Sequence, residues 1–107
     1  MIVRTVEIRE AARDDLITHY DWLAGEAGND IAEAMLANAA MEFDKLARMT
    51  GLGPPVETER RELAGLRKWR VSGFSKLLIF YQAADDHLFV IRVLHASQDW
   101  LAEIERG

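Results

Sequence analysis

Residues 66–95, LRKWRVSGFSKLLIFYQAADDHLFVIRVLH, hold three strand-like runs separated by two tight connections. Residues 66–71 alternate cationic and apolar side chains, whereas 77–81 (LLIFY) and 88–91 (LFVI) are continuously apolar. Short runs rich in Val, Ile, Phe and Tyr, bounded by turn residues, predict strands; unbroken ones predict central strands buried on both faces. Ser72-Gly73 and Ala84-Asp85-Asp86 are short enough to make the three strands antiparallel neighbours. Arg92 and His95 are set into the last run. A cation there needs a partner, because an unpaired buried charge is costly.

The rest of the chain is read against that sheet. Residues 2–8 alternate Ile2, Arg4, Val6 and Ile8 with Val3, Thr5 and Glu7, which predicts a first strand. Separated from the others by helices, it must pair at an edge or cross over beside a later strand. From residue 10 to about 24 the period becomes helical: Ala12, Leu16, Tyr20 and Leu23 form one stripe and Ile17 widens it. Trp22 is expected at the stripe's margin, packed on the sheet or the next helix. Gly25 and Gly28 break this helix. Asn29 or Asp30 caps the next, and Asp30 with Glu33 has capping-box spacing. The second helix, about 31–50, carries Ala32, Met35, Leu36, Ala39, Phe43, Leu46 and Ala47 on one face, with Met35, Met41 and Met49 as core fillers or margins. So short a link implies an antiparallel helical hairpin. Gly51-Leu52-Gly53-Pro54-Pro55 ends it, and 56–65 reads as a surface loop with a short turn. After His95, Ser97 or Asp99 caps a short helix that docks through Trp100 and Ile104.

The order is β-α-α-β-β-β-α: an α+β fold with a helical hairpin on one face of a mostly antiparallel four-stranded sheet, one domain over residues 1–107. A chain of 107 residues supports one modest core. The absence of cysteine excludes a disulfide-stapled secreted fold, and no apolar run reaches the roughly 20 residues of a membrane span. A soluble, cytoplasmic protein is expected.

The net charge of −5 argues against non-specific nucleic-acid binding, which rests on phosphate neutralisation. The charge is uneven, however. Arg60, Arg61, Arg67, Lys68, Arg70 and Lys76 fall within one stretch that holds a single acid, Glu62. Such a basic face suits a specific anionic partner, or guards an exposed strand edge. Metal chemistry has little support: His19, His87 and His95 are far apart, with no zinc-type spacing. Nor is there a phosphate-cradling glycine loop or a strand–Ser–helix nucleophile. Neither a metal nor a cofactor is expected. Arg92 either pairs with a carboxylate (Glu7, Asp85 or Asp99) or recognises an anion. His95 is either a general acid–base or the partner of a capping hydrogen bond. Alternation places Leu88, Val90, Arg92 and Leu94 on one face, and Phe89, Ile91, Val93 and His95 on the other. His19 is expected on the exposed side of the first helix.

Leu66-Arg67, the KLLIFY run from Lys76 to Tyr81, the Asp85-Asp86 turn, the VIRVLH run from Val90 to His95, and Asp99 four residues on together resemble the ParE branch of the RelE/ParE superfamily of bacterial type II toxins. The element order and the Pro-containing exit of the second helix agree, so the resemblance covers nearly the whole chain. RelE-like members are ribosome-dependent mRNA endonucleases, usually with an Arg two residues before the apolar-Tyr pair of the central strand. Here that position is Leu78. Ala96 follows His95 where some nucleases have Tyr, and no basic cluster follows it. His95 alone matches a catalytic histidine of some members. Metal-free RNA cleavage needs a base, an acid and a cation near the phosphate, and this set is incomplete.

ParE-like members are similar to one another in poisoning DNA gyrase without enzymatic chemistry. A cognate ParD-like antitoxin, whose disordered tail folds on the toxin, neutralises them. The resemblance therefore implies a growth-inhibiting toxin with antitoxin and gyrase as partners, no direct specific DNA binding and no membrane. It also implies a role in plasmid or chromosomal stability. Arg67, Arg70 and Lys76 on the open sheet face are the expected recognition residues, with Arg92, His95 and Trp100 in support. No catalytic residue is expected; under the nuclease alternative His95 is the base and Arg67, Arg70 or Arg92 stabilise the phosphate. A degenerate member that binds antitoxin without toxicity is a third reading.

Overall fold

The computed structural model describes residues 3–106. Its elements run β1 (Thr5–Ile8), α1 (Glu10–Ala27), α2 (Asn29–Arg48), a 3-10 turn (Arg61–Leu63), β2 (Arg67–Val71), β3 (Phe74–Ala83), β4 (His87–His95) and α3 (Trp100–Arg106). The expected α+β order is observed; the proposed strand start at Ile2 lies outside the described residues. The sheet order is β1-β4-β3-β2. β2, β3 and β4 are antiparallel neighbours, while β1 crosses over to pair with β4 in parallel, Thr5 opposite His87 and Ile8 opposite Val90. The sheet is thus mixed, with β1 the one parallel strand.

One glycine makes the helical hairpin. Gly28 has φ +99°, donates its N–H to the Ala24 carbonyl and accepts from the Ala32 N–H, so it closes α1 and opens α2. That conformation favours glycine. Asn29 and Asp30 are consequently already helical, and neither side chain caps α2, contrary to the sequence expectation. Gly25 remains inside α1. The α2 stripe is as expected: Met35, Ala39, Phe43, Leu46 and Ala47 are buried, with Leu36 packed at its margin. On α1, Ala12 is buried and Leu16, Tyr20 and Leu23 pack beside it. Ile17 does not widen that stripe, being 60% exposed; it sits a hundred degrees round the helix from Leu16. Met41 and Met49 are likewise exposed.

Strand β3 separates two apolar clusters. Leu77, Ile79 and Tyr81 face the hairpin; Leu78 and Phe80 face the opposite side, where Val56, Leu63, Leu66, Leu94 and Ile104 cover them. The 53–66 segment and α3 therefore close much of the face expected to be open. Arg60 donates to the Ile104 carbonyl, and Gln82 donates to the carbonyls of Glu62 and Ala64, clamping the segment down. Trp100 lies 5.3 Å from Phe80, ring centre to ring centre, and Asp99 Oδ1 accepts from the Ala102 N–H. The docking of α3 through Trp100 and Ile104 is as expected.

The alternation in β4 does not persist. Phe80 pairs with Arg92 and Tyr81 with Val90, so Ile91 is an extra residue in a bulge. A bulge exchanges the faces beyond it. Leu88, Val90 and Val93 accordingly share the helix-facing core, while Leu94 joins the second cluster.

Candidate functional site: a basic groove beside a scaffold of consumed cations

The candidate cations fall into two sets. Arg92 is in the first. Its Nε and Nη2 donate to both oxygens of Asp15 on α1, at 2.7 and 2.9 Å, and Nη1 lies 3.8 Å from Glu103 on α3. None of Glu7, Asp85 or Asp99 is its partner; Asp15 is, from the helix packed across the strand. The same carboxylate accepts the Val93 N–H, and His19 Nε2 donates to the Val93 carbonyl at 2.8 Å. Strand β1 covers β4 only as far as Val90, so α1 side chains finish the exposed edge of β4 beyond it. His19 is therefore a half-buried edge partner and not a solvent-facing residue. The fork from Asp15 pushes the Arg92 guanidinium above its ordinary value despite partial burial.

Arg67 is in the first set too. It pairs with Tyr81 on the helix-facing side, and its Nη1 donates to the Gly53 carbonyl at 2.7 Å. Tyr81 Oη accepts the Gly53 N–H and donates to the Thr50 carbonyl. Burial raises the Tyr81 hydroxyl, which the Gly53 amide and the Arg67 charge partly oppose. A side chain at Gly53 would run into the Lys68 carbonyl oxygen and the Tyr81 hydroxyl, so only glycine fits. Arg67 therefore fixes the α2 exit and does not stand on the open face, as the sequence reading had placed it.

The second set lies across β2 and β3. Register puts Lys68 opposite Phe80 and Arg70 opposite Leu78, on the face away from the hairpin. Lys68, Arg70, Lys76, Leu78, Ala96 and Trp100 line one broad groove of about 890 Å³. Lys68 Nζ stands 4.5 Å over the Trp100 ring, a cation–π arrangement. Among the described residues, Lys68, Arg70 and Lys76 make no ion pair. Of the sequence candidates the groove therefore gathers Arg70, Lys76 and Trp100. Lys68 was missed, although period-two alternation already groups it with Arg70 and sends Arg67 to the other side with Trp69.

Glu42 of α2, a buried carboxylate, borders the groove. Trp69 Nε1 donates to it at 2.9 Å, and Lys45 Nζ is 3.6 Å away. Burial alone would raise its pKa, but hydrogen bonds from Trp69 and Ser72 and the Lys45 charge together hold it below 4.5.

His95 lies elsewhere. It pairs with Leu77, on the helix-facing side, and its Nδ1 accepts the Ser97 N–H at 3.1 Å and lies 2.6 Å from Ser97 Oγ. This is the capping role anticipated as one of its two alternatives. With Nδ1 an acceptor, a neutral ring carries its proton on Nε2. His95 lines a second, smaller cleft of about 300 Å³ with His19, Trp22, Leu23, Phe74, Ser75, Lys76 and Leu77. Trp22, expected to pack inward, is 63% exposed there. At the position where nucleases of the superfamily have an arginine, Leu78 is 6% exposed and forms the apolar floor of the basic groove. His95 and two of the three groove cations thus face different clefts, and Lys76, with Ser75, borders both.

Comparisons with known proteins agree with the fold. Among curated proteins nothing matches the chain. Of the solved structures, a chain of the chromosomal ParDE toxin–antitoxin system from P. aeruginosa superposes with a TM-score of 0.71 at 14% identity, covering 89% of this chain and 98% of that one. A chain of the RelBE2 toxin–antitoxin complex from Mycobacterium tuberculosis is 27% identical, with a TM-score of 0.56 and coverage of 92% and 97%. The family model described as the ParE toxin of the type II toxin–antitoxin system parDE matches residues 6–100. With both clefts, the hairpin and all of the sheet but Thr5 inside that span, the chain belongs to the ParE toxin family of type II toxin–antitoxin systems.

Proposed function

We propose that this toxin inhibits DNA gyrase by binding and not by cutting nucleic acid, and that a ParD-like antitoxin neutralises it by covering the basic groove. One observation carries the reading: the groove presents Lys68, Arg70 and Lys76 unpaired over an apolar floor at Leu78, while His95 and His19, at the sheet's end, face another cleft. A metal-free ribonuclease needs base, acid and phosphate-stabilising cation around one scissile bond. Arg92 and Arg67 do not meet that need, since each is held by a scaffold partner. A groove with cations and no converging acid–base pair suits recognition of carboxylates on a protein.

Two assays run in parallel test the reading. Purified toxin is added to gyrase supercoiling reactions and to translating ribosomes. Loss of supercoiling with intact mRNA is expected, and Arg70→Glu combined with Lys76→Glu restores supercoiling. Position-specific mRNA cuts with unaffected supercoiling would overturn it in favour of the endoribonuclease. Co-expression of the antitoxin is expected to restore growth.

A further inference from the structure

The small cleft beside the groove has no part in the reading above, and its make-up is unusual for a surface. Trp22 and Leu23 of α1 form one wall, Phe74 and Leu77 of β3 the other, with His19, His95 and Lys76 around them. Trp22 leaves most of its ring in water although it sits beside Leu23, which packs against the core. Its volume of about 300 Å³ holds one or two large side chains, not a folded element. Ser75 and Lys76 line both this cleft and the basic groove, so the two form one track across the start of β3. Along that track the chemistry changes from apolar to cationic, with Lys76 at the junction and Arg70 and Lys68 beyond it.

We infer that this cleft is an anchor pocket for a single large apolar residue on an acidic, extended segment of the antitoxin, whose neighbouring carboxylates run on over Lys76 to Arg70. The inference rests on the antitoxin reading and adds where specificity is set. Charge complementarity chooses the occupant. The chain is net −5, which opposes approach of a polyphosphate, yet Lys68, Arg70 and Lys76, which make no ion pair among the described residues, stand together along this track. Carboxylates spaced along a peptide meet them individually, and an apolar pocket beside them rewards a leucine or phenylalanine. Truncating such an anchor to alanine removes enough apolar burial to weaken binding by tenfold or more.

The test uses the full-length toxin and two fluorescein-labelled decapeptides made of aspartate and glutamate, one with a central leucine and one with alanine in its place. Ten extended residues reach about 33 Å, most of the 38 Å length of the molecule. Fluorescence polarisation is expected to show the leucine peptide binding about tenfold more tightly. Trp22→Ala should abolish that preference, while its unfolding midpoint stays at the wild-type value because the ring is exposed. Lys76→Glu should weaken both peptides by about tenfold and keep the preference. Equal binding of the two peptides, or a preference that survives Trp22→Ala, would overturn the anchor. So would a single-stranded RNA decamer that binds more tightly than either peptide and depends on Trp22. The peptide readout does not involve toxicity: equal peptide binding alongside antitoxin-reversible growth arrest removes the anchor and leaves the toxin reading standing.

Discussion

Arg92 and Arg70 stand on β4 and β2, either side of β3 in the same sheet, and their situations are opposite. Arg92 is 21% exposed and grips Asp15, itself 13% exposed, with Glu103 behind it. Arg70 is exposed and makes no ion pair among the described residues. What separates them is the neighbouring helix. α1 crosses the β4 edge and supplies carboxylate and imidazole where β1 stops short, whereas α3, docked on the face that carries Arg70, brings no carboxylate into ion-pair distance of it. A cation met by a carboxylate from a packed helix becomes part of the scaffold, and one that no carboxylate reaches remains available to a partner. The charge alone does not tell the two apart.

The largest effect is expected where the pairing is closest. Asp15→Ala removes both acceptors of the Arg92 fork and the acceptor of the Val93 N–H, leaving a half-buried cation and an edge amide unmatched. Urea unfolding should show a loss of about 3 kcal/mol. If the loss were within experimental error of zero, Arg92 would belong with Arg70 and the contrast would collapse. Arg67→Ala comes next. It removes a charge-assisted hydrogen bond to Gly53, for a loss of about 1.5 kcal/mol measured the same way. Unchanged stability with lost growth arrest would return Arg67 to the recognition set.

Glu42→Gln keeps an acceptor for Trp69 and loses the charge, costing about 1 kcal/mol at pH 7. The sign of its pH dependence follows from the lowered carboxyl. Glu42 contributes fully above its ordinary 4.5, and the contribution fades as pH falls through the lower folded value. Wild type and Glu42→Gln should therefore converge in stability in acid below 4.5. A gap that stays constant through that range, followed by unfolding titrations across pH, would mean that the Glu42 charge is not the source of the difference. The smallest effect on stability is expected for Arg70→Glu, within about 0.5 kcal/mol of wild type. Growth arrest in cells expressing it should nevertheless fail. A destabilised Arg70→Glu would show that the groove cations, too, serve the scaffold.

Much of this molecule could be read in advance, for physical reasons. The apolar runs at 77–81 and 88–91 could satisfy their backbone and bury both faces only as inner strands, and both do. The α2 stripe from Ala32 to Ala47 has one burial solution. The dense cations between Arg60 and Lys76 announced a basic face, and alternation along β2 contained the grouping of Lys68 with Arg70. The resemblance in the IRVLH run led to the right family.

The remainder depended on events that leave no local trace. One extra residue at Ile91 exchanges the faces of β4, and a bulge has no fixed sequence signature. The partner of Arg92 lies far along the chain on α1, where Asp15 looks like an ordinary carboxylate in the second turn of a helix. Trp22 was expected at the margin of its stripe, packed on the sheet or the next helix; the packing of α1 against α2 and β4 instead leaves it as the wall of a cleft. The elements, their order and the supply of cations follow from hydrophobic period, turn chemistry and composition, all of which are local to the chain. Which cations were consumed and which remained for a partner was decided only by the tertiary structure, because ion pairing depends on what long-range packing brings within about 4 Å.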